Sequence, residues 1–387
     1  MYTLEDYLYF RGDLGFDVSP VNEIDEMVFS IIGKADFTGI LGENEIKEYS
    51  EVFDRFFESK DCNENLRFGL LASKKLMKTM LDISRCRRFA GIKICNFVKR
   101  VSTEITEQMS ALTVLGPDDR IYVTFRGTDD TLIGWKENCE LAIMDSVPAQ
   151  RDAAAYLESI AEVFRGPLRV TGHSKGGNLA VYAAAHADAR TQEKIEKIIS
   201  YDGPGFPKEF FETAGYYVIK NRTVTMVPKA SIVGMMMENA GMMDVIDCES
   251  EGVAAHDVLT WGISQKRFLR AQELSEKSIV FRGALEKTLD KMDIGERQEM
   301  VDELFAVLSS TGADELLDFT ENTFAQALTL SKNFRKSKEL KEFISDLSRF
   351  FIRDSAKNTI SDLHEKIHDK VIDPVKDRIG ELKDPES

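Results

Sequence analysis

The segment from Val170 to Ala180 constrains this chain most, because it places a serine between glycines at the junction of a strand and a helix. It reads VTGHSKGGNLA and contains the pattern Gly-X-Ser-X-Gly. Apolar residues at 168–170 predict a short strand, and small residues at 176–187 predict a helix. A serine at such a turn adopts a strained backbone conformation that exposes its hydroxyl above a sheet. The pattern therefore predicts Ser174 as a nucleophile; the alternative is an ordinary glycine-rich turn.

Strand-like and helix-like segments alternate around this turn. Residues 1–90 are predicted to be helical, with helical spacing of the apolar residues Ile24, Met27, Val28, Ile31 and Ile32. Beyond them, strands are predicted at 92–101, 104–114, 120–125, 168–170, 199–202, 223–227 and 245–248, and helices at 152–164, 176–187 and 193–198. Such alternation is typical of a parallel sheet with helices on both faces. We therefore predict an α/β fold with an α/β-hydrolase-type, mostly parallel sheet over residues 90–265.

The chain is predicted to have two parts. Residues 1–284 form the α/β-hydrolase domain with its N-terminal helical region, and residues 285–387 form a charged helical extension. Two apolar stripes mark the extension, Leu340, Phe343, Ile344, Leu347 and Phe351 in one and Ile360, Leu363, Ile367 and Val371 in the other. Both stripes fit helices that pack on the core or on each other; an arm that binds a partner or lipid is the alternative.

Composition narrows the classes of partner and compartment. A formal net charge of −16 argues against nucleic acid, because phosphate binding requires a basic surface. The five cysteines are scattered, which favours reduced thiols over disulfides or a zinc site. The N-terminus lacks a secretory signal pattern, and the apolar runs are too short to span a bilayer. We expect a cytoplasmic protein without an integral membrane segment, metal or organic cofactor, and we leave its oligomeric state open.

A serine hydroxyl is a poor nucleophile near neutral pH, so Ser174 needs a base. The chain has five histidines, at positions 173, 186, 256, 364 and 368. The first adjoins the serine, the second lies too far along the helix, and the last two fit a solvated helix face. His256 remains, and it follows the serine in the chain order of this fold. We predict His256 as the general base; a structural histidine is the alternative.

Two groups are predicted to stabilise an oxyanion. One is the backbone amide of Lys175, the residue after the nucleophile. The other is Thr128, which follows the predicted strand at 120–125 and offers an amide and a hydroxyl. The cationic side chain of Lys175 lies either in solvent or beside the acyl pocket, where it would favour an anionic substrate.

Taken in order, these motifs resemble those of class 3 lipases. The matching segments are 125–128 (FRGT), Trp135 with Asn138, 172–177 (GHSKGG) and 202–205 (DGPG). The chain resembles an uncharacterised bacterial lipase-like family of the α/β-hydrolase superfamily more closely still, through segments 6–7 (DY), 11–14 (RGDL), 231–235 (SIVGM) and 256–257 (HD) with Trp261. The resemblance covers residues 1–265. It implies Ser174 as nucleophile, His256 as base, and Thr128 and Lys175 at the oxyanion hole.

The residue that orients His256 departs from the family pattern. Class 3 lipases carry this aspartate in an Asp-x-Val-Pro-like segment after a strand, and Ser231 falls at that position here. Asp247 and Asp244 lie between the nucleophile and the base in the required order. We predict Asp247 as the catalytic acid. Asp244, a Ser–His dyad and a hydroxyl partner such as Ser231 are alternatives, and we interpret Asp202 as part of a structural turn.

A methionine cluster bears on the substrate. It comprises Met226, Met235, Met236, Met237, Met242 and Met243. Flexible thioethers suit acyl chains, which makes Met235, Met236 and Met237 candidate substrate contacts; core packing is the alternative. Gly234 and Gly241 are candidate hinges for a mobile segment.

Together these residues predict a serine hydrolase of lipase or esterase type that forms an acyl-enzyme on Ser174. A small-molecule or lipid ester is the expected substrate. An acyltransferase or thioesterase would use the same acyl-enzyme. A hydrolase fold that has lost catalysis and serves as a binding protein is the other alternative, favoured by the missing aspartate at position 231.

Overall fold

The structure is a computed structural model that describes residues 1–42, 44–58, 75–128, 131–289 and 293–309. The two apolar stripes of the predicted extension, with His364 and His368, lie outside the described residues. The helices are α1 (Leu4–Arg11), α2 (Glu23–Ile32), α3 (Tyr49–Glu58), α4 (Leu76–Arg85), α5 (Leu132–Glu140), α6 (Pro148–Val163), α7 (Lys175–His186), α8 (Ala189–Lys194), α9 (Ala214–Ile219), α10 (Glu276–Leu289) and α11 (Ile294–Ser309). The strands are β1 (Ile46–Glu48), β2 (Lys93–Ser102), β3 (Glu107–Leu115), β4 (Ile121–Phe125), β5 (Leu168–His173), β6 (Ile195–Tyr201), β7 (Thr223–Pro228), β8 (Met242–Ile246), β9 (Ile263–Ser264) and β10 (Arg267–Phe268).

An eight-stranded sheet runs through the centre in the order β1 to β8. Strands β1 to β4 pair antiparallel, whereas β4 to β8 all pair parallel. Parallel neighbours require crossover connections, which helices α5 to α9 provide between β4 and β7. The predicted α/β-hydrolase-type sheet, mostly parallel, is confirmed.

Helices cover both faces of this sheet, as the side-chain alternation along β4 shows. Tyr122 of β4 lies in the same apolar core as Phe29 of α2. Its neighbour Val123 points to the other face, where it shares a core with Leu157 of α6 and Leu179 of α7. The N-terminal helices therefore form one outer layer, and α6 and α7 form the other.

Some element boundaries differ from the prediction. The helix predicted at 193–198 is wrong, because α8 ends at Lys194 and β6 begins at Ile195. Residues 193–198 read EKIEKI, so Ile195 and Ile198 are three positions apart with charged residues between them, a spacing that also fits a helix. The strand predicted at 245–248 instead runs from Met242 to Ile246 as β8. The N-terminal region that was predicted to be helical also includes the short strand β1.

Helix α11 packs against α5. Val301 and Phe305 are buried, and Lys136 Nζ lies 2.9 Å from the Asp302 carboxylate. The boundary predicted between residues 284 and 285 falls inside α10 and stays a prediction. In the described part of the chain, no helix is both long and apolar enough to cross a membrane.

Candidate active site

The predicted strand-to-helix turn is present at Ser174, between β5 and α7. We call this turn the elbow and β5 the elbow strand. The serine has φ 60° and ψ −133°, a region that non-glycine residues occupy only when the surrounding structure enforces it. Glycines make this turn possible. A side chain at Gly172 would collide with the Gly176 carbonyl, and one at Gly176 would collide with the Phe125 carbonyl.

His256 is held by Asp202. Its Nδ1 lies 2.6 Å from Asp202 Oδ2, and both side chains are buried. The structure thus corrects the prediction of Asp247, whose carboxylate instead pairs with Lys229 at 2.6 Å. Asp244 pairs with Arg270 at 2.7 Å. Both rejected aspartates form ion pairs away from His256, because strand β8 and the residue after it lie at the edge of the sheet.

Asp202 reaches His256 because of the strand register. His173 pairs with Tyr201, so the following residues, Ser174 and Asp202, leave the sheet side by side at the carboxyl ends of neighbouring parallel strands. This juxtaposition was available as a sequence signal. An aspartate directly after the strand next to the elbow strand is a stronger candidate than one farther along the chain.

Ser231 supports this carboxylate from the position where the family resemblance expects an aspartate. Its hydroxyl donates to Asp202 Oδ1 at 2.5 Å, and the Gly234 amide donates to the same oxygen at 3.1 Å. A side chain at Gly234 would collide with Asp202. The glycine therefore permits a close approach to Asp202, and its role as a hinge stays a prediction. Three donors hold the carboxylate: Ser231, the Gly234 amide and His256.

The second ring nitrogen of His256 is the chemically available one. His256 is 1% exposed, and its Nε2 has no hydrogen-bond partner among the described residues. Other buried polar atoms of the described residues also lack a partner, but this one belongs to an imidazole whose other nitrogen is held by a buried carboxylate. With Nδ1–H donated to Asp202, Nε2 carries the lone pair that a general base needs.

His173 and Lys34 were not predicted as part of this centre. The His173 ring lies 4.4 Å from the His256 ring, its Nε2 is 2.8 Å from the His256 carbonyl, and its Nδ1 is 3.0 Å from Lys34 Nζ. Burial, with the nearby Lys34 charge, holds the pKa of His173 well below its ordinary value. His173 is therefore neutral, accepts from Lys34 and donates to the His256 backbone. The spacing from Lys34 to the elbow, 139 residues, gave no sequence signal.

The two predicted oxyanion groups belong to two segments that adjoin Ser174. Lys175 is the first residue of α7, where backbone N–H groups point out of the helix end. Thr128 follows Gly127, at which an added Cβ would lie 3.2 Å from Ser174 Cβ. The Thr128 hydroxyl accepts a hydrogen bond from the Asn138 side chain at 2.6 Å, which fixes its orientation.

The side chain of Lys175 lies in neither of the two predicted environments. It is buried, not solvent-facing, and its Nζ lies 2.5 Å from Glu137 Oε2. Because the cation is neutralised there, it does not select an anionic substrate. The two alternatives failed for one reason: Glu137 lies on α5, 38 residues away, and only the fold brings it to the elbow.

The predicted methionine contacts occupy different environments. Met235 is wholly buried, whereas Met236 and Met237 are partly exposed. The Met236 carbonyl accepts from Gly205 at 2.7 Å. This backbone contact joins the methionine segment to the loop after Asp202.

The described residues offer neither a metal site nor a reactive thiol as an alternative to Ser174. Within the described ranges, no three His, Cys, Asp or Glu side chains converge as a metal site would require. Cys86, Cys95, Cys139 and Cys248 are free thiols, and burial raises the pKa of Cys95 and Cys139 to about 12. Thiols with raised pKa values are poor nucleophiles near neutral pH.

Comparisons with family models and with solved structures find proteins that are similar to this chain. A family model described as Mbeg1-like matches residues 83–306, more than half of the chain. A lipase called M37 is 13% identical, with 55% of this chain and 68% of that chain covered and a TM-score of 0.34. A triacylglycerol lipase whose catalytic centre is described as a serine protease triad is 15% identical, with 59% and 81% covered and a TM-score of 0.35.

A propeptide complex of the Rhizomucor miehei lipase is 18% identical, with 53% of this chain and 73% of that chain covered and a TM-score of 0.31. No curated protein sequence matches the chain. At such identities the likeness concerns the fold alone. The family match includes Ser174, Asp202 and His256 and leaves out Lys34. The chain therefore belongs to the Mbeg1-like family.

Proposed function

We propose that this protein is a serine hydrolase that cleaves carboxylic esters through an acyl-enzyme on Ser174. The observation that carries the proposal is the buried Asp202–His256 pair, with a 2.6 Å hydrogen bond to Nδ1 and an Nε2 that no described residue engages. A strained serine lies at the end of the neighbouring strand. An imidazole with one nitrogen fixed by a buried carboxylate and the other nitrogen open has the arrangement that a general base requires.

In the proposed reaction, Ser174 Oγ attacks the ester carbonyl while His256 Nε2 takes the hydroxyl proton. Asp202 accepts the Nδ1 hydrogen bond and stabilises the imidazolium that forms. The amides of Lys175 and Thr128 stabilise the oxyanion of the tetrahedral intermediate. His256 then gives its proton to the leaving alcohol, and water hydrolyses the acyl-enzyme by the same steps.

The proposed substrate is a small-molecule or lipid ester, with Met236 and Met237 as contacts for its acyl chain. Thioethers adapt to irregular apolar groups, and both side chains are partly exposed. We also propose a cytoplasmic, bacterial setting. The four free thiols in the described ranges are consistent with a reducing compartment.

Covalent labelling by a fluorophosphonate probe tests the proposal directly, because the probe reacts only with an activated serine. Wild-type protein should be labelled, while Ser174→Ala and His256→Ala should not. Ser159→Ala is the matched control, since Ser159 is exposed on α6 and donates only to the Tyr156 carbonyl. Absence of labelling in folded wild-type protein would favour a binding protein on a hydrolase fold. Labelling followed by acyl transfer to an added alcohol or thiol, faster than hydrolysis, would favour an acyltransferase.

A further inference from the structure

Lys175 has two roles that the fold joins in one residue. Its backbone lies at the elbow next to Ser174, and its side chain enters the core. There Nζ contacts Glu137 Oε2 at 2.5 Å and the Gln108 carbonyl at 2.8 Å. Neither Lys175 nor Glu137 has any exposed side-chain surface. Burying two charges carries a large desolvation cost that mutual attraction often only offsets, so stability alone does not explain this pair.

The Glu137 carboxylate also binds backbone from two other elements. Its Oε2 accepts from the Gln108 amide at 2.8 Å, and its Oε1 accepts from the Ala149 amide at 2.9 Å. One side chain on α5 thus connects β3, the start of α6 and the start of α7. Because three donors fix the carboxylate, it is a rigid point to which the first residue of α7 is attached.

Resting on the proposed function, we propose that Glu137 is a positioning residue for the oxyanion hole. Glu137 holds the Lys175 side chain in the core. In this way it sets the direction of the Lys175 amide N–H beside Ser174. An oxyanion donor stabilises the transition state only when its direction is set before the reaction. Glu137 acts through Lys175, because its carboxylate contacts Lys175 Nζ and the backbone amides of Gln108 and Ala149.

The test compares variants that alter the pair and retain the Lys175 amide. Lys175→Met combined with Glu137→Gln removes both charges together and leaves an acceptor at position 137. Glu137→Asp is the milder variant, because it keeps the charge and withdraws the carboxylate by one methylene. The control is Arg88→Met combined with Asp25→Asn. This second ion pair is equally buried, with both side chains at 0% exposure, and lies among the N-terminal helices.

The readouts are kcat and KM for p-nitrophenyl butyrate, the rate of fluorophosphonate labelling, and folding by circular dichroism. We expect about a hundredfold lower kcat in the charge-free double variant, with KM little changed, since misplaced catalytic groups cost about that much. Glu137→Asp should show a smaller loss in the same direction. The control should keep the wild-type kcat.

Wild-type kcat in the folded double variant would overturn the proposal, since the pair would then only neutralise charge. If that variant does not fold, wild-type kcat in Glu137→Asp would overturn it equally. A wild-type protein that neither labels nor turns over substrate would instead defeat the proposed function, and the positioning role with it.

Discussion

Two buried aspartates, Asp202 beside the elbow and Asp25 in the N-terminal helices, are held in similar ways and have different consequences. Asp25 receives hydrogen bonds from Tyr7, the Asn22 amide and the guanidinium of Arg88. Asp202 receives them from Ser231, the Gly234 amide and His256. Burial and hydrogen-bond number therefore do not separate a structural carboxylate from one that is proposed to be catalytic.

The difference lies in what the partner does with its remaining atoms. Arg88 donates further hydrogen bonds to the carbonyls of Leu14, Ser19 and Pro20, and its guanidinium lies 4.1 Å from the centre of the Phe16 ring. His256 keeps an unengaged Nε2 within the described part of the chain. All three guanidinium nitrogens of Arg88 thus donate within the fold, whereas under the proposed function the open nitrogen of His256 is left for a reacting group.

The sharpest test of this contrast replaces each aspartate by asparagine. Asp202→Asn should slow fluorophosphonate labelling by about 10⁴-fold, because the amide no longer holds the histidine in the required tautomer. In Asp25→Asn, the folded fraction should label at the wild-type rate. Stopped-flow labelling with circular dichroism on the same samples measures both effects. Wild-type labelling by Asp202→Asn would remove the distinction between the two aspartates.

The substitution Arg88→Met tests whether the Asp25 network serves only to stabilise the fold. This change leaves Asp25 buried without its counter-charge, which should lower the free energy of unfolding by about 3–5 kcal/mol. Urea denaturation measures the loss. Labelling below the unfolding transition should be unaffected, and a slower rate there would show that the N-terminal network does reach the catalytic centre.

Lys34 links the two regions, since it follows α2 and contacts His173. Burial lowers the pKa of Lys34 from 10.5 to about 8; Asp257 opposes that shift and Arg126 adds to it. Between those values the unfolded chain binds more protons than the folded one, so the free energy of unfolding should rise with pH across this window. Lys34→Met should abolish that rise, which is on the order of 3 kcal/mol. Urea denaturation at about pH 7.5 and about pH 10 measures it, and an equal rise in both proteins would contradict it.

The same comparison shows how the family motifs are to be interpreted. The N-terminal segments that carry the resemblance include Tyr7, which donates to Asp25, and Arg11, which donates to Ser19. These residues build the structural network. The elbow glycines and His256 build the proposed catalytic centre. A motif match by itself does not say which of the two a residue serves.

The sequence alone determined the elements that depend on local chemistry. The glycines around Ser174, the helical spacing in α2 and the alternation of strands and helices have short-range causes, and they led to the correct fold class. His256 followed from elimination among five histidines. Apart from that elimination, each of these inferences needed only residues that are close together in the chain.

Tertiary structure decided the partners of the charged groups. The pairs Asp202–His256, Lys175–Glu137 and Lys34–His173 join residues 54, 38 and 139 positions apart. Which of several aspartates meets a histidine depends on strand register and on which strand ends are neighbours. Whether a lysine is solvated or buried depends on a carboxylate from another helix. The number of residues between two partners predicts neither outcome, because the sheet sets the distances between charged groups; only the position of Asp202 directly after a strand gave a sequence signal.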